Sequence, residues 1–340
     1  MTPEPLKVTI LGAGAVGCYL GAVLSQTHDV TLIARDRIVS ELNRAGQLTL
    51  TDYTGRQQTC LLPTLTTDAN ALAGADLIIL TVKCLGVDDA ASQIQAFSNP
   101  ETPLLCLQNG IGSDERLRHL PNPVIRGIVG FNVAPMGKGR FHRGTEGDVW
   151  CETFDPVSLT HALDQAFQSS GFSLLTTADF EALQWGKLQL NLNNAINALS
   201  DMPLKQELET HGYRKVLSLA MSELLAITRQ QNLKLPRLTK LPPGLLPLLL
   251  RVPDALFRRL ASSMLAIDPE ARSSMWEDLS NRRLTEISYI NGAVVRAAEA
   301  LGQKAPANAT LVAMIKDIEE GRQTPGIPCE KILEEIKKRR

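Results

Sequence analysis

The chain has 340 residues, which suggests two domains and leaves ample length to bury a core. Its composition, 44% hydrophobic and 21% charged, is that of an ordinary globular protein and excludes a disordered chain. With 35 Lys and Arg against 36 Asp and Glu, the net charge of −1 lacks the basic footprint expected of a nucleic-acid binder. No apolar run approaches the ~20 residues of a membrane span. Four glycines interrupt the apolar segment Val8–Val23, so neither a secretory leader in Met1–Lys7 and beyond nor a membrane partner is expected. The six cysteines (Cys18, Cys60, Cys84, Cys106, Cys151, Cys329) are scattered, with no CxxC pair and no Cys/His cluster. They read as reduced thiols of a cytoplasmic protein without a metal site.

In chain order, Lys7–Leu11, Asp29–Ile33, Ala75–Val82, Pro103–Leu107 and Val124–Val129 read as buried strands. Crossover-length segments separate most of them, the pattern of a parallel sheet with helices on both faces. From Phe131 to Glu152, glycines at 137, 139, 144 and 147 alternate with apolar residues, which predicts one or two hairpins closing the far edge of that sheet. After about residue 178 strand-like runs vanish, and Phe180–Leu199, Gly212–Gln231 and Met275–Leu301 show helical periodicity. The expected fold class is therefore α/β, with an N-terminal Rossmann-type doubly wound sheet (residues 1–178) and a smaller all-α domain (179–340). The Pro- and Leu-rich stretch Leu233–Pro269 has an apolar and basic look that would suit a membrane-surface helix. Prolines at 236, 242, 243, 247, 253 and 269 would break such a helix repeatedly, so a packed, kinked connection is expected. Lys337–Arg340 reads as a frayed tail.

The sequence after the first strand is Gly12-Ala13-Gly14-Ala15-Val16-Gly17, a GxGxxG turn between a strand and a helix. The first glycine permits the tight turn, the second admits a pyrophosphate to the backbone, and the third lets the helix pack close to the strand. The helix then directs its N-terminal amides at the anion. The second strand ends in Ile33-Ala34-Arg35-Asp36, where an NAD-preferring site usually has an acid first. A guanidinium at that place suits a 2′-phosphate, so NADPH is the expected cofactor. The alternative has Arg35 solvated and Asp36 reading the ribose. Two further strand ends carry polar residues, Lys83 and Gln108-Asn109-Gly110, and would border the cofactor. They can equally be a solvated cap and an Asn-Gly turn.

In the helical half, Leu188, Leu192, Ala195 and Leu199 form a core-facing stripe, flanked by a polar stripe of Lys187, Asn191 and Asn194. Four asparagines in seven helical positions (191, 193, 194, 197) oppose helix propensity. They point either to a site or to hydrogen bonds between packed helices. Ser274-x-x-Glu277 is a capping-box pattern, so Ser274 begins a helix there, a place that also suits a carboxylate. In one helix over Met275–Leu301, Glu286 falls about three turns beyond Ser274.

Together, Gly12–Gly17, the Lys83 strand end, Gln108-Asn109-Gly110, Trp185-x-Lys187-x-x-x-Asn191, Ser273-Ser274-Met275 and Thr285-Glu286-Ile287-x-Tyr289-Ile290-Asn291-Gly292 resemble the 2-dehydropantoate 2-reductase (ketopantoate reductase) family. The resemblance runs from Lys7 to about Ile318. It implies NADPH-dependent reduction of a small 2-keto acid, ketopantoate, to pantoate, a step of pantothenate biosynthesis, by a monomer or homodimer. Position by position, Lys187 resembles the family's catalytic lysine. Glu286 resembles the partner of that lysine or of the substrate hydroxyl, and Asn109, Asn191, Asn194 and Ser274 resemble substrate-binding positions. The chain departs from the pattern at Ala195, where many members carry an asparagine that Asn194 would replace, at Ala271, and in the length of 233–269. Two other readings follow: reduction of a different branched 2-keto acid, and a non-catalytic NADP-sensing protein of the same fold, which would have no need of Lys187 and Glu286.

Overall fold

The computed structural model describes residues 5–155, 157–262, 265 and 270–340. The chain forms two compact units, residues 1–180 and 181–340. Pro269 and residues 1–4, about which the sequence raised a connection and a leader, lie outside the described residues.

The first unit begins with β1 (Lys7–Leu11), α1 (Ala15–Leu24), β2 (Asp29–Ile33) and α2 (Asp36–Ala45). It continues with β3 (Gln47–Asp52), β4 (Gln57–Leu61), β5 (Thr64–Thr66), β6 (Leu77–Leu80), α3 (Val87–Phe97), β7 (Leu104–Cys106) and β8 (Val124–Val129). It ends with β9 (Val133–Pro135), β10 (Arg140–Arg143), β11 (Val149–Glu152), α4 (Val157–Ser169) and β12 (Leu174–Thr177). The main sheet runs β12-β11-β8-β7-β6-β1-β2-β5, and its six strands from β8 to β5 are parallel. Strands covered on both faces carry unbroken apolar runs, as in the wholly buried LIIL of β6. One face packs against α1 and α4 through Leu20, Val23, Leu163 and Phe167, the other against α3 through Val87, Ala91 and Ile94. This is the doubly wound Rossmann-type α/β fold. The chain steps from β1 outward to β2 and β5, then crosses back to β6 on the other side of β1, which makes the β1/β6 gap the topological switch point.

The glycine-rich stretch 131–152 does not simply close the far edge: β9 and β10 do form a hairpin, but it joins β3 and β4 in a separate four-stranded sheet, ordered β4-β3-β10-β9. Only β11 pairs with β8, antiparallel, and β12 follows it at the edge. A buried ion pair, Arg143 to Asp52 at 3.5 Å, ties β10 to the end of β3.

The second unit comprises α5 (Phe180–Asn191), α6 (Asn193–Ser200), α7 (Leu204–Glu209), α8 (His211–Gln230), α9 (Leu246–Leu250), α10 (Asp254–Leu260), α11 (Ser274–Ser280), α12 (Asn291–Ala300), α13 (Pro306–Glu319) and α14 (Cys329–Arg339). Its described residues include no strand. The stretch Met275–Leu301 is not one helix. It stops at Asn281, passes Arg282 in the left-handed region (φ +52°), and resumes only at Asn291. The C-terminus is not frayed up to Arg339 either, because α14 buries Ile332 and Ile336. It lies so close to α8 that a Cβ on Gly212 would collide with Cys329 Sγ.

The connection after α8 is packed and kinked among its described residues. Pro236 and Leu238 lie over α5 at Gly186, and Gln189 Nε2 donates to the Pro243 carbonyl at 3.0 Å. The fully buried Arg214 of α8 donates to the carbonyls of Leu208, Leu250 and Val252 and to Asp254, and it stacks on Phe257. No described helix is long and apolar enough to cross a membrane.

Candidate active site

The glycine turn sits at the switch point. Gly12 has φ +98°, and a Cβ there would come within 2.6 Å of the Val82 backbone nitrogen, so only glycine fits. Its N–H and that of Ala13 donate to the Ile33 carbonyl at 3.1 Å, which joins the ends of β1 and β2. A Cβ on Gly17 would lie 2.5 Å from Thr81 Oγ1, so this glycine is what lets α1 approach the sheet. Gly14 differs: its Cβ would meet nothing nearer than the Gly12 carbonyl at 3.9 Å, leaving that backbone open to an approaching group. The first hydrogen bond into α1 runs from Cys18 N–H to Gly14 O. The amides of Ala15, Val16 and Gly17 precede it and remain available to an anion. These features fit a dinucleotide pyrophosphate.

The other polar residues of this unit lie at the same carboxyl edge. Arg35 directly precedes α2 at the end of β2, exposed and without an ion pair among the described residues. Asp36, also exposed, opens α2. Lys83 follows β6 and Asn109 follows β7, both exposed. Their loops are tied by the Cys84 thiol, which donates to the Asn109 carbonyl at 3.0 Å. Thus Gly12–Gly17, Arg35, Lys83 and Asn109 come from the ends of four adjacent strands.

In the second unit, Lys187, Asn191 and Asn194 lie half-buried along α5 and α6, while Leu188, Leu192, Ala195 and Leu199 are buried. Lys187 makes no hydrogen bond or ion pair with any described residue, Glu286 included. Burial alone lowers its pKa from 10.5 to about 8. The four asparagines divide into two kinds. Asn193 and Asn197 donate to the Glu207 carboxyl and serve packing, whereas the Asn191 and Asn194 side chains have no hydrogen bond among the described residues.

Ser274 does not cap α11. The cap is Ser273, whose hydroxyl accepts from Trp276 N–H at 3.1 Å and donates to the Asn194 carbonyl at 3.0 Å. Ser274 is the first residue of the helix and is exposed, and its hydroxyl has no capping duty. Glu286 is buried in the turns between α11 and α12, not on a continuous helix, and its carbonyl accepts from Tyr289 and Ile290. Ser273 stood in the family motif and Asn197 among the crowded asparagines, but sequence reasoning missed Glu207 and the network that joins the three. Only the crowding of asparagines hinted at it. Among the described residues no group of three His, Cys, Asp or Glu could hold a metal, and all six cysteines are buried.

Residues 8–156 match the family model described as ketopantoate reductase PanE/ApbA, and residues 179–319 match its C-terminal companion. A 2-dehydropantoate 2-reductase of Pyrococcus horikoshii is 27% identical over 317 residues, spanning 92% of this chain and 97% of that protein. The crystal structure of a PanE/ApbA family ketopantoate reductase from Ralstonia eutropha JMP134 superposes with a TM-score of 0.77 at 29% identity, over 94% of this chain and all of that one. D-mandelate dehydrogenase, solved as a ternary structure with NADH and anilino(oxo)acetate, shares the fold at 22% identity, with a TM-score of 0.74 over 93% and 99% of the two chains. A glycine turn at the switch point, a half-buried lysine on the helical unit and two model matches that together span most of the sequence lead to one assignment: the chain belongs to the ketopantoate reductase PanE/ApbA family.

Proposed function

We propose that this protein reduces ketopantoate to pantoate with NADPH, the first unit serving as the dinucleotide-binding domain and the second as the substrate domain. The observation that carries the reading is Lys187. It is an ammonium without a partner among the described residues, flanked by two unengaged asparagines, in a chain of this family. The bound reduced nicotinamide supplies the hydride for the carbonyl carbon. The pyrophosphate is held by the amides of Ala15–Gly17 and by the open backbone at Gly14, with Lys83 and Asn109 at the neighbouring strand ends. Arg35 takes the 2′-phosphate through charge-assisted hydrogen bonds.

Hydride arrival leaves an alkoxide, and Lys187 provides its proton. With a pKa of about 8, Lys187 remains mostly an ammonium at neutral pH, yet gives up its proton more readily than an exposed lysine does. The same charge stabilises the developing oxyanion. Asn191, Asn194, Asn109 and Ser274 bind and orient the keto acid, and Glu286 orients the substrate hydroxyl. The departures at Ala195, which is fully buried, and Ala271 favour a second reading, in which the substrate is another branched 2-keto acid. NADPH oxidation by the purified protein against a panel of 2-keto acids separates the two. Fastest turnover with ketopantoate supports the first reading, and no oxidation with any member would refute both. The same panel run with NADH tests the cofactor, since equal efficiency with both nucleotides removes the role given to Arg35.

A further inference from the structure

Glu207 of α7 is fully buried and has no cationic partner among the described residues. Its Oε2 accepts from Asn197 Nδ2 at 3.0 Å and from Asn193 Nδ2 at 3.3 Å. Asn197, itself 0% exposed, also donates through Nδ2 to the Met202 carbonyl at 2.9 Å, and its Oδ1 accepts the Ser273 N–H at 2.9 Å. Ser273 in turn donates its hydroxyl to the Asn194 carbonyl. The network thus runs from α7 through α6 to the start of α11, and two of its members adjoin the proposed substrate groups. Asn193 precedes Asn194, and Ser273 precedes Ser274.

Two atoms in this network stand out. Glu207 Oε1 and Asn193 Oδ1 are both buried with no hydrogen-bond partner. They belong to one acid–amide pair whose other two atoms, Oε2 and Nδ2, are already bonded to each other. An ionised carboxylate would leave two buried acceptors without a donor, and a charge without a counter-ion, both costly in a low dielectric. A single proton on Oε1 gives the pair the donor it lacks, because an acid and a primary amide can bond in both directions.

We propose that Glu207 is a neutral carboxylic acid in the native protein and a positioning residue for the reaction, clamping α6 to α7 and to the start of α11 so that Asn194 and Ser274 are held in place for the keto acid. Burial, which pushes its pKa up to about 8, acts in the same direction. The positioning role rests on the function proposed above. The protonation state does not.

Three variants and one spectrum test it. Glu207→Gln keeps an oxygen acceptor and replaces the O–H by an N–H donor, so KM for the keto acid should stay within about threefold of the parent. Glu207→Leu removes both and should raise that KM about tenfold, with kcat within about threefold and NADPH binding unchanged. Should Glu207→Leu not fold, Asn193→Ala removes the other half of the pair and should give a similar rise in KM. The infrared spectrum of the wild-type protein at pH 7 should contain a carboxylic-acid carbonyl band that is absent from Glu207→Gln.

A KM rise in Glu207→Gln as large as that in Glu207→Leu, or a missing band, overturns the neutral acid. An unchanged KM in whichever of Glu207→Leu and Asn193→Ala fold, with only thermal stability lowered, overturns the positioning role. If the wild-type protein reduces no 2-keto acid, the proposed function and the positioning role fall together, and the infrared band still decides the protonation state.

Discussion

The glycine turn after β1 and the polar face of α5–α6 are built from opposite materials. In the turn, function depends on atoms that are absent: Gly12 and Gly17 leave no room for a Cβ, and Gly14 leaves the backbone open. On the helices the proposed function depends on side chains that are present and, among the described residues, unengaged, Lys187, Asn191 and Asn194, beside others of the same type already used for packing. The first kind of site tolerates almost no substitution but carries little chemical identity, since any dinucleotide can use it. The second kind should accept substitution without losing the fold, and in the proposed function it decides which reaction occurs. Variants should therefore separate into those that disturb stability or nucleotide binding and those that disturb turnover alone.

The largest effect is expected on the helical side. Lys187→Ala should lower kcat by ~10²–10⁴, the range of a lost general acid, while NADPH binding measured by fluorescence titration stays unchanged. In the parent protein kcat should be flat at neutral pH and fall as pH rises through about 8, because only the ammonium form donates. A profile flat to pH 10 would assign the proton to another group. Gly12→Ala tests the other side. The substitution meets the Val82 backbone and a positive φ, so chemical denaturation should show a loss of about 2–4 kcal/mol together with weakened nucleotide binding. Asn191→Ala, in contrast, should leave stability nearly untouched and raise the keto-acid KM.

Smaller effects sharpen the contrast. Arg35→Ala should shrink the ratio of NADPH to NADH affinity about tenfold, the worth of a charge-assisted hydrogen bond, without altering kcat at saturation. Equal affinities in the parent protein would remove the premise. The adjacent serines give the finest comparison. Ser273→Ala should cost about 1 kcal/mol of stability as a lost N-cap. Ser274→Ala should change stability by less than about 0.5 kcal/mol and act only on KM. The reverse pattern would return the cap to Ser274.

How much of this was legible beforehand follows the same division. The turn and its neighbouring strands could be read because local sterics and unbroken apolar runs specify them, as in Lys7–Leu11 followed by GxGxxG. Strands β3, β4 and β5 were not, because their sequences are largely polar and their partners, β10 for β3 and β2 for β5, are distant in the chain. The break inside 275–301 has no glycine or proline to mark it; Arg282 takes the left-handed conformation instead. The Ser274-x-x-Glu277 pattern pointed one residue too far because the hydroxyl that caps is the one that also reaches Asn194, a tertiary contact invisible to local spacing. Lys187 could be placed on its polar stripe by periodicity. Its lack of a partner among the described residues and its lowered pKa depend on what surrounds the helix.

The pairing of β3 with β10 has a consequence for how this protein is made. Thr51 meets His142 across that seam, 91 positions later in the chain. The β3–β4 hairpin can form as soon as it leaves the ribosome, but one edge of β3 then stays open until residues 140–143 are synthesised. At ~5–20 residues per second the wait is on the order of ten seconds. During that interval Asp52 also lacks the guanidinium that neutralises it in the finished unit. An unpaired strand edge is a template for the wrong partner, so the nascent chain carries such an edge from the emergence of β3 to the arrival of Arg143.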